Sequence, residues 1–286
     1  ETIEAIKKAV AGENPLGKLR PDAVRILDRG ALIDTIFVPF QQFSVLNTQV
    51  FVPEKENTGL IPTIDTVKNL KKIALSVILD DPVLLIGETG VGKTSLVRYL
   101  AHLTKHNFRR FNLSGQTDKT EFIGGYKPDP KGAFRWKDGI LLEAMLYGHW
   151  LVLDEINLAE SQVIERLNSL LDDDQTLVIA EHLGEHFKPK KVYEQKKNEG
   201  ASEFFDEARQ AHYLVDEKGK RIYCIHPEFR LFATMNPAEY AGRKILSPAL
   251  MNRFRVKWID DLTMVEKKLV LLEKFPTEQQ EVYQNK

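Results

Sequence analysis

The stretch Leu84–Val97, LLIGETGVGKTSLV, decides how the rest of the chain is interpreted. An apolar segment runs into three glycines, and residues with helical spacing follow. Gly87, Gly92, Lys93 and Thr94 satisfy the pattern G-x-x-x-x-G-K-[ST]. Glycines let backbone N–H groups curve around a phosphate, and a helix N-terminus adds partial positive charge. The stretch therefore predicts a strand, a phosphate-binding loop and a helix.

The residues of the predicted loop are expected to bind a nucleotide and a metal ion. Lys93 has the length and charge to reach the outer phosphates, and the Thr94 hydroxyl suits a magnesium ion. The expected ligands are therefore ATP and Mg²⁺. The residues predicted to bind the nucleotide are Gly87, Glu88, Thr89, Gly90, Val91, Gly92, Lys93, Thr94 and Ser95.

An acidic pair follows a second apolar segment, in HWLVLDEIN. Asp154 and Glu155 come directly after Trp150–Leu153, a predicted strand, and ligands of open α/β sheets bind at the carboxyl ends of strands. Asp154 is predicted to hold the metal ion together with Thr94, and Glu155 to accept a proton from the attacking water. The alternative is a solvated acidic pair at a strand end.

Two further polar residues are candidates for the same chemistry. Asn236 ends the apolar segment FRLFATMN, where its amide could orient water or contact the γ-phosphate, but Asn before Pro is also a common turn device. In SPALMNRF, Ser247 and Pro248 resemble a helix N-cap and first turn. Arg253, at the end of that short helix, is either a surface charge or a group that reaches the nucleotide of a neighbouring subunit.

Short apolar segments alternate with helical patterns along the chain. A helix is predicted over Thr63–Leu79, and further helices near Ser95, Leu141, Ser161 and Ser247. The strand candidates are VLLI (83–86), FRRFNL (108–113), HWLVLD (149–154), FRLFATMN (229–236) and FRVKWI (254–259). This alternation predicts an α/β fold with a mostly parallel sheet between two layers of helices.

Composition excludes several classes of protein. The 286 residues carry 40 Lys plus Arg against 41 Asp plus Glu, which argues against binding duplex nucleic acid through bulk positive charge. A single cysteine, Cys224, excludes an intramolecular disulfide framework and a Cys-rich zinc module. No apolar segment reaches the roughly 18 residues of a membrane span. Because the chain begins with Glu1, we expect a fragment or a processed form. The single cysteine and the lack of a signal-peptide pattern predict an intracellular protein in the cytoplasm.

The order of these motifs resembles the AAA+ ATPases, particularly their dynein-related branch, which includes midasin and the MoxR-like ATPases. The resemblance covers about residues 63–260 and implies a P-loop three-layer sandwich with a mostly parallel five-stranded sheet and an incomplete helical lid. It also implies that Gly87–Thr94 is the Walker A motif, and that Asp154 and Glu155 form the Walker B motif. Asn236 would be sensor 1, and Arg253 an arginine finger acting in trans. If the protein is midasin-like, the nucleus is the alternative to the cytoplasm.

The resemblance implies a motor as the function. ATP hydrolysis in a homo-oligomeric ring, or in tandem modules, would remodel a protein or ribonucleoprotein, with a von Willebrand A domain as a possible partner. One alternative is a module that holds nucleotide and hydrolyses little. Another is a nucleic-acid-translocating ATPase of related fold, which only the lysines of 188–197 support, and their acidic neighbours favour a solvated face.

The predicted domain organisation has three parts. Residues 1–58 form a segment of unknown role that includes an amphipathic-looking piece, Asp22–Leu32. Residues 59–262 form the ATPase core, with insertions near 122–139 and 184–220, and residues 263–286 begin a helical lid or tail. The first insertion resembles the family's helix-2 hairpin, which faces the central pore or a substrate. The alternative is a hairpin that packs on its own domain. Its aromatic residues are predicted to be exposed: Tyr126, Phe134 and Trp136. The second is strongly charged and predicted to be an exposed insertion.

Overall fold

A computed structural model describes residues 23–41, 51–55, 59–237 and 246–274. Within these residues the elements are, in chain order, β1 (Val24–Leu27), β2 (Gly30–Ile33), β3 (Ile36–Pro39), α1 (Ile64–Ile78), β4 (Val83–Ile86), α2 (Lys93–Leu103), β5 (Phe108–Asn112), α3 (Lys119–Phe122), β6 (Gly124–Pro128), β7 (Phe134–Asp138), α4 (Ile140–Tyr147), β8 (Trp150–Asp154), a 3₁₀ turn (Ile156–Leu158), α5 (Ser161–Leu171), β9 (Leu177–Ile179), β10 (Glu185–Pro189), α6 (Lys190–Asn198), β11 (Ser202–Asp206), β12 (Ala211–Val215), β13 (Arg221–Ile225), β14 (Arg230–Met235), α7 (Pro248–Asn252), β15 (Arg255–Trp258) and α8 (Met264–Lys274).

The strands predicted from the sequence form one parallel sheet of five strands, in the order β15-β4-β14-β8-β5. All residues of β4 and β8 are buried, as expected for central strands covered on both faces. Strand β14 lies between β4, which precedes the glycine-rich loop, and β8, which carries the acidic pair. The carboxyl ends of these strands therefore meet at one edge of the sheet.

Successive residues of each central strand pack on opposite faces of the sheet. In β4, Val83 and Leu85 pack with residues of α1 and α2 and with β2 and β3, whereas Leu84 and Ile86 pack with residues of α4 and α5. The predicted three-layer α/β sandwich is therefore confirmed.

The predicted helix over Thr63–Leu79 is α1. Thr63 is its N-cap and accepts a hydrogen bond from the backbone N–H of Thr66 at 3.2 Å. The predicted helices near Ser95, Leu141, Ser161 and Ser247 are α2, α4, α5 and α7. None of the helices in the described part of the chain is long and apolar enough to span a bilayer.

The amphipathic-looking piece Asp22–Leu32 forms strands where the structure describes it. It contributes β1 and β2, which pair with β3 in an antiparallel sheet. Ala31, Ile33 and Val38 of this sheet are buried against α1 and the core sheet. Residues 1–22, the first part of the predicted N-terminal segment, lie outside the described residues.

The charged second insertion is folded rather than simply exposed. It contributes to a five-stranded mixed sheet with the order β11-β12-β13-β10-β9, on which α6 packs. Phe187 and Tyr223 are fully buried, and Tyr193, Leu214 and Ile222 form a separate apolar cluster. The frequent charges along this stretch conceal the few apolar residues that form its interior.

The first insertion forms the antiparallel hairpin β6–β7. Tyr126 and Phe134 are exposed as predicted, at 51% and 71%. Trp136 is not, because its indole stacks on the His182 ring with 4.5 Å between centroids, and its Nε1 donates to Asp138 at 2.7 Å. The hairpin therefore packs on its own chain through Trp136 while its tip faces solvent.

Candidate nucleotide-binding site

The glycine-rich loop has a backbone that other residues would strain. Gly90 and Gly92 both have φ of +87°, in the left-handed region that favours glycine. At Gly87 the constraint is space, because a Cβ atom there would lie 2.3 Å from the carbonyl oxygen of Ile259. The loop therefore turns tightly from β4 into the first residue of α2.

Lys93 is held over the loop at the start of α2. Its side chain is 8% exposed, and the ammonium donates to the carbonyl oxygens of Gly87 and Glu88, both at 2.8 Å. It also donates to Oδ1 of Asn236 at 2.7 Å. The helix N-cap is Gly92, which has no side chain to cap the first amides, so the helix N-terminus suits an anion.

Asp154 is a buried carboxylate at the end of β8, 3% exposed. Its Oδ1 accepts from the hydroxyls of Thr94 at 2.7 Å and Thr234 at 2.8 Å. Arg110, from β5, donates its Nε to Oδ2. The two residues predicted to hold the metal ion, Thr94 and Asp154, are thus in direct contact.

Glu155 has an unusual backbone conformation. Its φ of 55° and ψ of 49° lie in the left-handed region, which costs about 1–3 kcal/mol for a non-glycine residue and is concentrated at functional sites. The backbone N–H donates to Thr234 Oγ1 at 3.3 Å, and the carboxylate accepts from Nδ2 of Asn236 at 3.4 Å. The strained turn therefore directs this carboxylate toward the end of β14.

Asn236 connects the loop to the acidic pair. Its amide oxygen accepts from Lys93, and its amide nitrogen donates to Glu155. It is 4% exposed, and it occupies this position because β14 lies between β4 and β8. A side chain with both a donor and an acceptor suits it to bridge a cation and a carboxylate.

Three residues of this cluster were missed in the sequence. Thr234 and Arg110 contact Asp154, and Asn157 donates from Nδ2 to the carbonyl oxygen of Asn236 at 3.3 Å. Thr234 and Asn157 each lie two residues from a predicted site residue, a spacing that could have indicated them. Arg110 had no such signal, because FRRFN contains two arginines and the sequence does not say which one faces Asp154.

Arg253 is not part of this cluster. It is the C-cap of α7, and its Nε lies 2.5 Å from Oδ1 of Asp172 at the end of α5. Its Nη1 donates to the carbonyl oxygen of Ala249 at 3.2 Å. The structure therefore brings the other predicted catalytic residues together and places Arg253 against a different part of the chain.

The donor atoms at this edge fit magnesium held together with a nucleotide. Mg²⁺ prefers oxygen ligands and usually takes one or two protein groups, with phosphate oxygens and water completing its shell. Thr94 and Asp154 provide a hydroxyl and a carboxylate of this kind. Among the described residues, no group of three or more His, Cys, Asp or Glu side chains could hold a metal ion without such a ligand.

The chain has a parallel five-stranded sheet, with a glycine-rich loop after one strand and an acidic pair after another. These features define an α/β P-loop domain of the AAA+ class. More particularly, the chain belongs to the dynein-related subfamily of AAA domains, whose family model matches residues 82–254.

Two curated relatives are midasins. The chain is 37% identical to midasin of Dictyostelium discoideum over 230 residues, which cover 79% of this chain and 3% of that protein. It is 33% identical to midasin of Giardia intestinalis over 218 residues, which cover 76% of this chain and 4% of that protein. The chain therefore spans a small fraction of the length of these relatives.

One solved structure with a similar fold is that of a candidate ATPase from Cytophaga hutchinsonii. It has a TM-score of 0.47 and 17% sequence identity, and the match covers 72% of this chain and 53% of that chain. A likeness at this level adds no support to the fold assignment, which rests on the sheet order and the family match.

Proposed function

We propose that the chain binds Mg-ATP at Gly87–Ser95 and hydrolyses it with Glu155 as the general base. The observation that carries this proposal is the continuous set of contacts from the loop lysine, Lys93, through Asn236 to Glu155. Each of these residues follows a different strand of the sheet, and each has the charge or polarity that phosphoryl transfer to water requires. A glycine-rich turn without a ligand would not need this arrangement.

The residues have separate roles in the proposed reaction. The loop amides and the Lys93 ammonium hold the phosphates, and Thr94 and Asp154 hold Mg²⁺, which when bound supplies positive charge next to the phosphate oxygens. Glu155 accepts the proton of the attacking water, and Asn236 orients that water. Arg110 and Thr234 fix the Asp154 carboxylate, and Asn157 supports the backbone of Asn236.

We further propose that the module works beside other AAA modules, in a ring of subunits or in tandem within one chain. The separation of Arg253 from its own loop supports this, because an arginine finger that is supplied in trans acts at the nucleotide of a neighbouring module and not at its own. Hydrolysis in such an assembly would drive remodelling of a bound protein or ribonucleoprotein. The alternative is a module that holds nucleotide without turning it over, and the presence of Glu155 beside Asn236 favours hydrolysis.

Glu155→Gln tests the proposed chemistry. The amide keeps the size of the side chain but cannot accept the proton of water, so nucleotide affinity should persist while steady-state phosphate release falls by roughly 10²-fold or more. Glu160→Gln is a matched control a few residues away, and should leave both unchanged. Equal phosphate release by the wild type and Glu155→Gln, each above background, would remove Glu155 from this role. Nucleotide binding without measurable release by the wild type would favour the holding module.

A further inference from the structure

The proposed finger, Arg253, is held by two contacts on its own chain. Its Nε pairs with Asp172 Oδ1 at 2.5 Å, and its Nη1 donates to the Ala249 carbonyl oxygen at 3.2 Å. These contacts use the Nε and Nη1 donors of the planar guanidinium and leave Nη2 without a hydrogen bond to any residue that the structure describes. Because the guanidinium is a rigid fork, two fixed donors determine where the remaining donors point.

The backbones on both sides of this pair are anchored. Asp172 is the C-cap of α5 and lies two residues after the buried Leu170. Its backbone N–H donates to the carbonyl oxygen of Asn168 at 3.0 Å. Arg253 caps α7 between the buried residues Leu250 and Phe254, which are 1% and 5% exposed. The carboxylate and the guanidinium are therefore presented to each other by fixed helix ends.

The pair contributes little to stability, because it is open to solvent. The side chains of Arg253 and Asp172 are 30% and 48% exposed, and such surface ion pairs are weak in water. Both residues line an open groove of about 800 Å³, so a group from outside the chain can approach the partly exposed side chain of Arg253. The geometry of the pair is thus better explained by orientation than by stabilisation of the fold.

We propose that Asp172 is a positioning residue for Arg253. By holding Nε, it orients the guanidinium so that Nη2 faces the γ-phosphate bound by the adjacent module. The inference rests on the proposed function, in which Arg253 acts at a neighbouring site. Asp172 itself touches neither nucleotide nor metal, and it acts only through the arginine.

The test is a double-mutant cycle in the full protein, with kcat, KM and nucleotide affinity measured for each variant. Asp172→Ala should lower kcat by roughly 10-fold to 100-fold, because small misplacements of a catalytic group cost about this much, while affinity stays unchanged. Asp172→Asn retains an acceptor for Nε and should restore part of the loss. In an Arg253→Ala background, Asp172→Ala should have no further effect on kcat, whereas a general structural defect would add to the loss.

Asp173→Ala and Asp174→Ala are matched controls. Both remove an exposed carboxylate from the same loop, without a side-chain ion pair to Arg253, and should leave kcat unchanged. A loss with these controls equal to that with Asp172→Ala would overturn the positioning role, as would a rise in kcat for Asp172→Ala or additive losses in the cycle. If Arg253→Ala itself leaves kcat unchanged, the finger role in the proposed function fails instead.

Discussion

His149 shows what burial does to a single titratable residue outside the site. It is 2% exposed, and neither ring nitrogen has a hydrogen-bond partner among the described residues. The ring packs edge-on against Phe51, with 5.6 Å between centroids. Desolvation lowers the pKa of His149, with smaller contributions from the nearby Arg109 and His226, and together they bring it to about 4. The folded protein therefore keeps this histidine neutral.

This pKa predicts a loss of stability in acid. The folded-state pKa lies below the ordinary value of 6.5, so the unfolded chain binds more protons and stability falls as the pH drops from about 6.5 toward 4. His149 alone should contribute a loss of about 2 kcal/mol in the free energy of unfolding between pH 7.5 and pH 5.

Urea unfolding at the two pH values measures this effect. His149→Phe keeps an aromatic ring and removes the titration, so its stability should fall by about 2 kcal/mol less than that of the wild type. His212→Phe changes an exposed histidine and should retain the wild-type pH dependence. An unchanged dependence in His149→Phe would show that the buried ring is not responsible.

The residues of the site differ in how far the sequence predicts them. Lys93 and Asp154 each lie in a short motif that follows a strand. Their place in the fold can therefore be predicted from the residues next to them in the chain. Thr234 and Arg110 contact Asp154 only because three strands lie side by side in a particular order. That order depends on packing across the whole sheet, which local spacing does not contain.

At the scale of elements, Arg209 joins the β6–β7 hairpin to the insertion sheet. It is 6% exposed and donates to both carboxylate oxygens of Asp138, at 2.7 Å and 2.6 Å, and to Glu185 Oε2 at 2.7 Å. Its guanidinium also lies 4.6 Å from the centroid of the Tyr223 ring. Burial raises the pKa of Glu185, and the nearby Arg209 counteracts this rise. The junction therefore depends on one buried cation shared by two carboxylates.

Arg209→Met should destabilise the protein strongly. The substitution leaves the fully buried Glu185 and the largely covered Asp138 without their shared cation, a loss of about 3–5 kcal/mol in the free energy of unfolding. Urea unfolding at neutral pH measures the loss. Arg221→Met is the control, because its side chain is 38% exposed and lies 3.7 Å from Glu185. That variant should change stability by about 1 kcal/mol or less, and equal effects of the two would contradict the assigned role of Arg209.

The strands of the core sheet were predictable, but the insertion sheet was not. The central strands β4 and β8 are apolar along nearly their whole length because both of their faces are covered, as VLLI in β4 shows. Strand β11, SEFFD, is mostly exposed and contains two acidic residues, and β12, AHYLV, has a single buried residue, so neither strand has the continuous apolar pattern of a central strand. The pairing of β11 with β12 and of β12 with β13, and the parallel pairing of β10 with β13, are visible only in the fold.

At the scale of the whole molecule, the sheet order brings the candidate site together at one edge. The Lys93 loop follows β4, Asn236 follows β14, and the acidic pair ends β8, with these three strands adjacent in the sheet. The fold thus places a cation, an amide and two carboxylates within hydrogen-bonding reach. The family match over residues 82–254 covers all of them.

Nucleotide binding to wild-type and Lys93→Ala proteins tests the central claim most directly. Isothermal titration calorimetry with a non-hydrolysable ATP analogue and Mg²⁺ should give saturable binding to the wild type. Binding by Lys93→Ala should be lost, because the substitution removes the ammonium that we propose holds the outer phosphates. Lys72→Ala, at an exposed lysine on α1, should bind as the wild type does. Equal affinity in the wild type and Lys93→Ala would place any nucleotide elsewhere and contradict the assignment of the site.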